Sequence, residues 1–85
     1  MNSITNLEKD ILATLYIRRC IGTKLTPLTQ LYKHLNHYTG HEIKKEIINL
    51  RKKGYINVYK TYQGIDIRLN KEKLEEIKKI IQFND

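Results

Sequence analysis

The stretch TGHEIKKEIINLRKKGYINVYKTYQGIDIRLN, residues 39–70, decides how this chain folds. Thr39 and Glu42 stand at capping-box spacing: the threonine side chain accepts from the backbone three residues on, and the glutamate reaches back. Ile43, Ile47 and Leu50 recur at intervals of four and three, so a helix places them on one face. Gly54 ends the helix after Arg51, Lys52 and Lys53, three cations at the negative end of the helix dipole. From Tyr55 the period falls to about 2. Ile56 and Val58 point one way, and Tyr55, Asn57 and Tyr59 the other. A turn at Thr61-Tyr62-Gln63-Gly64 follows, after which Ile65, Ile67 and Leu69 point in and Asp66 and Arg68 point out. The expected elements are a helix over residues 39–53 and a hairpin over residues 55–69 with one buried face.

Working outward, Thr5 and Glu8 have the same capping-box spacing and open a helix expected over residues 5–20. Its stripe is Ile4, Leu7, Ile11 and Leu15, widened by Leu12 and Tyr16. Arg18 and Arg19 are expected in its last turn, with Gly22 as the left-handed stop. Residues 22–25 are a connector in which Leu25 adds a brief extended pairing. Thr26-Pro27 reads as an N-cap followed by proline at the first helical position, where a missing N–H costs nothing. The second helix, over residues 27–35, buries Leu28, Leu31 and Leu35; Asn36, His37 and Tyr38 turn the chain. Asn70 caps a last helix over residues 71–82, with Leu74, Ile77, Ile80 and Ile81 on one side. The expected fold class is α+β: three helices, a hairpin and a C-terminal helix in one domain over residues 1–85.

A chain of 85 residues makes a single domain with a small core, burying roughly 60% of the surface its unfolded form exposes. Shared apolar surface in a homodimer would help it. No apolar run approaches the roughly 20 residues that span a bilayer. The N-terminal MNSITNLEKD lacks the plan of a signal peptide, so a soluble, cytoplasmic protein is expected. Cys20 is the only cysteine, which leaves no intrachain disulfide and points to a small buried or half-buried thiol, with a disulfide between the chains of a dimer as the alternative. Enrichment in Ile, Lys, Asn and Tyr fits an AT-rich genome, and the Ile/Lys component also fits a thermophile or its mobile elements. The net charge of +7 is uneven. Residues 26–70 carry eight basic and three acidic side chains, whereas residues 71–85 carry four of each. The positive excess therefore sits on the helix–hairpin segment, where a polyanion would be met.

The order helix, helix, turn, helix, hairpin, helix resembles the winged helix-turn-helix proteins of the MarR-, PadR- and ArsR-like group, and small regulators of archaeal viruses and plasmids. Leu28-Thr29-Gln30-Leu31 resembles the opening of the positioning helix, and Thr39 to Leu50 the recognition helix. Leu50-Arg51-Lys52-Lys53-Gly54-Tyr55-Ile56 resembles the passage into the first wing strand. The resemblance covers about three quarters of the chain. It implies sequence-specific binding of double-stranded DNA, as a homodimeric transcriptional regulator of the cell cytoplasm, or of the host's if viral.

With the Ile43–Ile47–Leu50 stripe inside and about 100° per residue, the opposite side of the third helix holds His41, Lys45, Ile48 and Lys52. Lys44 and Asn49 lie on its flanks. Lys44 and Lys45 suit guanine O6/N7 or phosphate, and Asn49 suits adenine. His41 is a base or phosphate contact, and Lys52 a phosphate contact. Ile48 packs on the hairpin or second helix, touches a thymine methyl, or meets a partner. Glu42 and Glu46 count against the DNA reading, as parts of an ordinary solvated face. Thr26, Thr29 and Gln30 stand at the start of the second helix, where phosphate would be met, although ordinary capping alone explains Thr26. Thr39, the cap of the third helix, is counted with the DNA-binding residues. Lys60, Thr61, Tyr62 and Gln63 at the hairpin tip would reach the adjacent minor groove or its phosphates, with Arg68 on the outer strand face as a further phosphate contact. Tyr62 can also be only a solvent-exposed turn residue. Ile4, Leu7, Ile11, Leu74, Ile77 and Ile81 are the expected dimer interface.

His34, His37 and His41 have a spacing that invites zinc, but the Thr39 cap breaks the helix and no fourth ligand is evident. No metal, cofactor or catalytic constellation is expected, and therefore no enzyme. Two alternatives keep the fold: a winged-helix module that binds protein, and a DNA-binding factor for plasmid partition, replication or chromatin packaging.

Overall fold

The computed structural model describes residues 4–21 and 24–82. Among them stand four helices and a three-stranded antiparallel sheet: α1 (Asn6–Ile17), β1 (Thr26–Pro27), α2 (Leu28–His34), α3 (Gly40–Lys52), β2 (Ile56–Thr61), β3 (Gly64–Leu69) and α4 (Leu74–Gln82). A 3₁₀ turn, Lys71–Lys73, leads into α4. In the sheet β3 lies between β1 and β2.

Both capping boxes form. Thr5 Oγ1 accepts from Glu8 N at 3.1 Å, and Glu8 Oε1 accepts from Thr5 N at 3.0 Å. Thr39 and Glu42 repeat the arrangement at 3.0 and 2.8 Å. Each satisfies two backbone donors that a helix start would otherwise leave open.

The helix ends are less uniform. Gly54 closes α3 at φ 84°, with Gly54 N donating to Arg51 O and Tyr55 N to Leu50 O. These two bonds define a Schellman motif. α1 ends in the same motif three residues earlier than expected, with Arg19 N donating to Tyr16 O and Cys20 N to Leu15 O. The left-handed position there is held by Arg19 at φ 58°. Arg18 and Arg19 therefore lie beyond the last turn of α1; Gly22, expected as its stop, lies outside the described residues.

Thr26 and Pro27 correct a second expectation. They do not start α2 as cap and first residue; they pair with Ile67 and Asp66 as edge strand β1. Proline tolerates a sheet edge because its missing N–H faces away from the ladder. Pro27 is then the N-cap of α2 and makes no side-chain cap.

The core joins Leu7, Ile11, Leu12 and Leu15 of α1, Leu28 and Leu31 of α2, Ile43, Ile47 and Leu50 of α3, Ile56, Ile67 and Leu69 of the sheet, and Ile77 of α4. Leu35 and Cys20 are buried beside them. Tyr55, expected to point outward, is buried as well, because α4 closes over it and Glu76 accepts from its hydroxyl at 3.4 Å. Burial and the adjacent Glu76 carboxylate push that hydroxyl's pKa up. The side chain of Asn70 bonds both Gly54 O, at 2.8 Å, and Glu72 N, at 3.1 Å, so one residue stitches the end of α3 to the start of the last helical segment.

Burial fades along the hairpin. Ile56 pairs with Leu69 and both are buried; Val58, opposite the buried Ile67, is half-buried; Lys60, opposite the half-buried Ile65, is exposed. The strands thus run past the edge of the core, and the outer half of their inward face is left beside α3.

Candidate nucleic-acid interface

The overhang of the hairpin creates an open groove of about 380 Å³ between α3, the start of α2 and the strands. Leu28, Ile47, Ile48, Val58 and Ile65 give it an apolar lining, and Lys44, Arg51 and Lys60 are the charged residues along it. Among the described residues no acidic side chain lines it. Lys44, Ile48 and Arg51 are four and three residues apart and fall on one flank of α3, the flank that faces the hairpin. Lys45 and Lys52 are also exposed and lie farther round the helix, with His41 near its start.

The acidic residues of α3 are engaged elsewhere. Glu42 is the capping partner of Thr39, and acceptance of the Thr39 backbone N–H holds its carboxyl below the usual range. A negative charge is thereby fixed at the positive end of the α3 dipole. The end of the helix that would otherwise attract a phosphate is neutralised from within. Glu46 points toward α1, accepting from Thr5 Oγ1 at 3.3 Å and from Asn49 Nδ2 at 2.8 Å. The outer face of α3 is left to the cations.

Lys53 is withdrawn from that surface too. Its Nζ lies 2.9 and 3.1 Å from the two carboxylate oxygens of Glu8, which is itself 1% exposed. The pair ties the start of α1 to the end of α3.

The residues singled out from the sequence fall into three groups. His41, Lys44, Lys45, Lys52 and Lys60 are exposed on or beside the outer face of α3. Thr29, Thr61 and Gln63 come together at a second cleft, of about 460 Å³, between α2 and the hairpin tip; Tyr62 stands fully exposed at that tip. The hydroxyl of Thr61 is used to close the turn, donating to Gly64 O at 3.0 Å and accepting from Gln63 N at 3.3 Å. The third group is turned away or occupied. Thr26 is buried in β1 at 2% exposure, Gln30 is half-buried and the Thr39 hydroxyl is its own helix cap. Asn49 sits on the α1 side with Glu46. Arg68 lies on the face of the hairpin remote from the groove, donating to Tyr59 Oη at 2.7 Å, with its guanidinium 5.1 Å from that ring's centroid.

Arg51 is the residue that the sequence reading passed over. Its place near the negative end of the helix dipole accounts for the cation, and its spacing from Lys44 and Ile48 puts it on their flank. Of the expected dimer residues, Leu7, Ile11 and Ile77 are enclosed in the monomer core; Ile4, Leu74 and Ile81 keep partial exposure. Near them Tyr16, Ile17, Ile21 and Leu74 border a shallow cleft, with Ile17 76% exposed.

His34 Nε2 is 2.8 Å from Arg18 Nη1, and His37 packs against Tyr38 with ring centroids 4.3 Å apart. Among the described residues no three His, Cys, Asp or Glu side chains are grouped to hold a metal ion, and no helix is long and apolar enough to cross a membrane. No protein-family model, curated protein or solved structure matches the chain.

Proposed function

We propose that this chain is a winged helix-turn-helix protein that binds double-stranded DNA as a dimeric, sequence-specific transcriptional regulator. α2 serves as the positioning helix, α3 as the recognition helix and the β2–β3 hairpin as the wing. The observation that carries this reading is the sorting of charge on α3. Lys44, Lys45, Arg51 and Lys52 are exposed, with Lys60 across the groove, while Glu42 and Glu46 are bonded to a helix cap and to α1. A helix of 13 residues is about 20 Å long, enough to lie in a major groove with the hairpin tip at the neighbouring backbone. In the dimer, the half-exposed Ile4, Leu74 and Ile81 together with Ile17 form the contact, and twofold symmetry sets half-sites about 34 Å apart.

Titration of a duplex at rising salt tests this. With five cations on phosphates, log K should fall against log[salt] with a slope of roughly −4 to −5 per protomer. A flat response overturns the reading. Footprinting then separates regulation, which protects one promoter-proximal site, from partition or packaging, which spreads over flanking DNA.

The apolar floor of the groove favours a second reading, a winged-helix module that binds protein. Under that reading a partner is retained after nuclease treatment and duplex DNA is not bound.

A further inference from the structure

Ile48 is the one large apolar side chain exposed on α3, at 48%. It stands at the outer lip of the groove and is not covered by the hairpin, although Val58 and Ile65 line the same hollow. Around it the exposed positions of α3 are cationic: Lys44 and Lys45 one turn before, and Arg51 and Lys52 one turn after. The helix's amide, Asn49, is turned toward Glu46. A polyanion drawn onto those four cations is therefore pressed against an aliphatic tip.

Of the groups that base edges display in the major groove of DNA, the 5-methyl of thymine is the one alkyl group, set among hydrogen-bond donors and acceptors. We infer that Ile48 is a specificity-determining residue that reads thymine through its 5-methyl group. This rests on the DNA-binding reading above and adds to it the class of base recognised. The lysines and Arg51 supply affinity from phosphate, which carries no sequence information, and Ile48 supplies discrimination. Burying one methyl is worth about three- to fourfold in affinity.

The test uses the full chain and a duplex that it enriches from a random pool, resynthesised with deoxyuridine replacing thymidine one position at a time. Deoxyuridine keeps the pairing and removes only the methyl. The wild type should lose about three- to fourfold at one or more positions. Ile48→Ala should bind the thymidine duplex correspondingly more weakly and be indifferent to the replacement, with Ile48→Val in between. Thermal unfolding of both variants should stay near that of the wild type, since the side chain is half in solvent.

Equal binding of thymidine and deoxyuridine duplexes by the wild type, with the salt dependence intact, overturns the inference and leaves the DNA-binding reading standing. A deoxyuridine penalty that persists undiminished in Ile48→Ala assigns the methyl to another residue and also overturns it. Absence of any salt-dependent duplex binding removes the reading beneath it and the inference together.

Discussion

Lys53 Nζ lies 2.9 Å from Glu8 Oε2, joining the first turn of α1 to the end of α3 across 45 residues of chain. The two ends of this pair are not equivalent: Glu8 is 1% exposed at its side chain and Lys53 is 26% exposed. Removing the lysine leaves a buried carboxylate without its cation. Removing the carboxylate's charge leaves a lysine that can swing into water.

Lys53→Met should therefore destabilise the fold by about 2–3 kcal/mol, toward the low side of a broken buried pair because the lysine is partly solvated. Glu8→Gln should cost less, about 1 kcal/mol, since the amide oxygen can still accept from Thr5 N. Urea unfolding of the two variants measures the difference. Equal losses would mean that the difference in burial between the two groups does not govern the pair.

The two Schellman motifs make a paired prediction. Arg19→Gly relieves a side chain at φ 58°, and the relief outweighs the extra chain entropy of glycine, for a net gain of roughly 0.5–1 kcal/mol. Gly54→Ala goes the other way by about 1 kcal/mol. Among the described residues a Cβ at position 54 would meet Lys73 Cε alone, at 3.8 Å, so the cost comes from the φ of 84° and not from a clash. Thermal unfolding midpoints shifted in opposite directions are the expected result.

Glu42 gives a pH dependence whose sign follows from its bonds. Its carboxyl is held below the ordinary 4.5 by the Thr39 backbone N–H, so the folded state binds its proton less readily than the unfolded state. The stabilisation is present above pH 4.5 and is lost as pH falls through the lowered value. Glu42→Gln should flatten stability against pH on the acid side of that point and leave the neutral and alkaline arms parallel to the wild type. An unchanged acid slope would show that the capping carboxylate is not the titrating group.

On duplex DNA, Lys45→Ala and Arg51→Ala should each weaken binding and reduce the magnitude of the salt slope by about 1. Asn49→Ala should leave affinity within about twofold of wild type, because that amide is bonded to Glu46 on the α1 side of the helix. A large loss at Asn49 with none at Arg51 would reverse the orientation of α3 proposed above.

Much of this architecture follows from local rules that a sequence states openly. Thr5/Glu8 and Thr39/Glu42 are capping boxes because a hydroxyl and a carboxylate three residues apart reach each other's backbone whatever lies beyond. The Ile43–Ile47–Leu50 face, the stop at Gly54 and the alternation from Ile56 to Leu69 are of the same kind, each settled within about a dozen residues. The lysines on the outside of α3 follow from them by rotation alone.

The departures lie where distant segments compete for the same group. Thr26-Pro27 has the local chemistry of a helix start, but β3 offered an unpaired edge and claimed it as a strand. Arg19 occupies a position that propensity reserves for glycine, because the packing of α1 dictates where the chain must turn. Leu7, Ile11 and Ile77 look from their spacing like an interface, yet α4 folds back on α1 and encloses them.

Periodicities and caps acting over one or two helical turns thus suffice for the helices and the hairpin, for the buried stripe of α3 and for the positive surface opposite it, whereas β1 forms only where β3 offers its edge. Only the tertiary structure decided which charges that surface keeps. Lys53 and Glu46 are held away from it by Glu8 and Thr5 at the start of α1, Asn49 bonds Glu46 on that same side of α3, and Arg51 borders a groove made by a hairpin that outruns its core. Ion pairs and grooves form between residues far apart in sequence, so their geometry exists only once the helices and strands have packed.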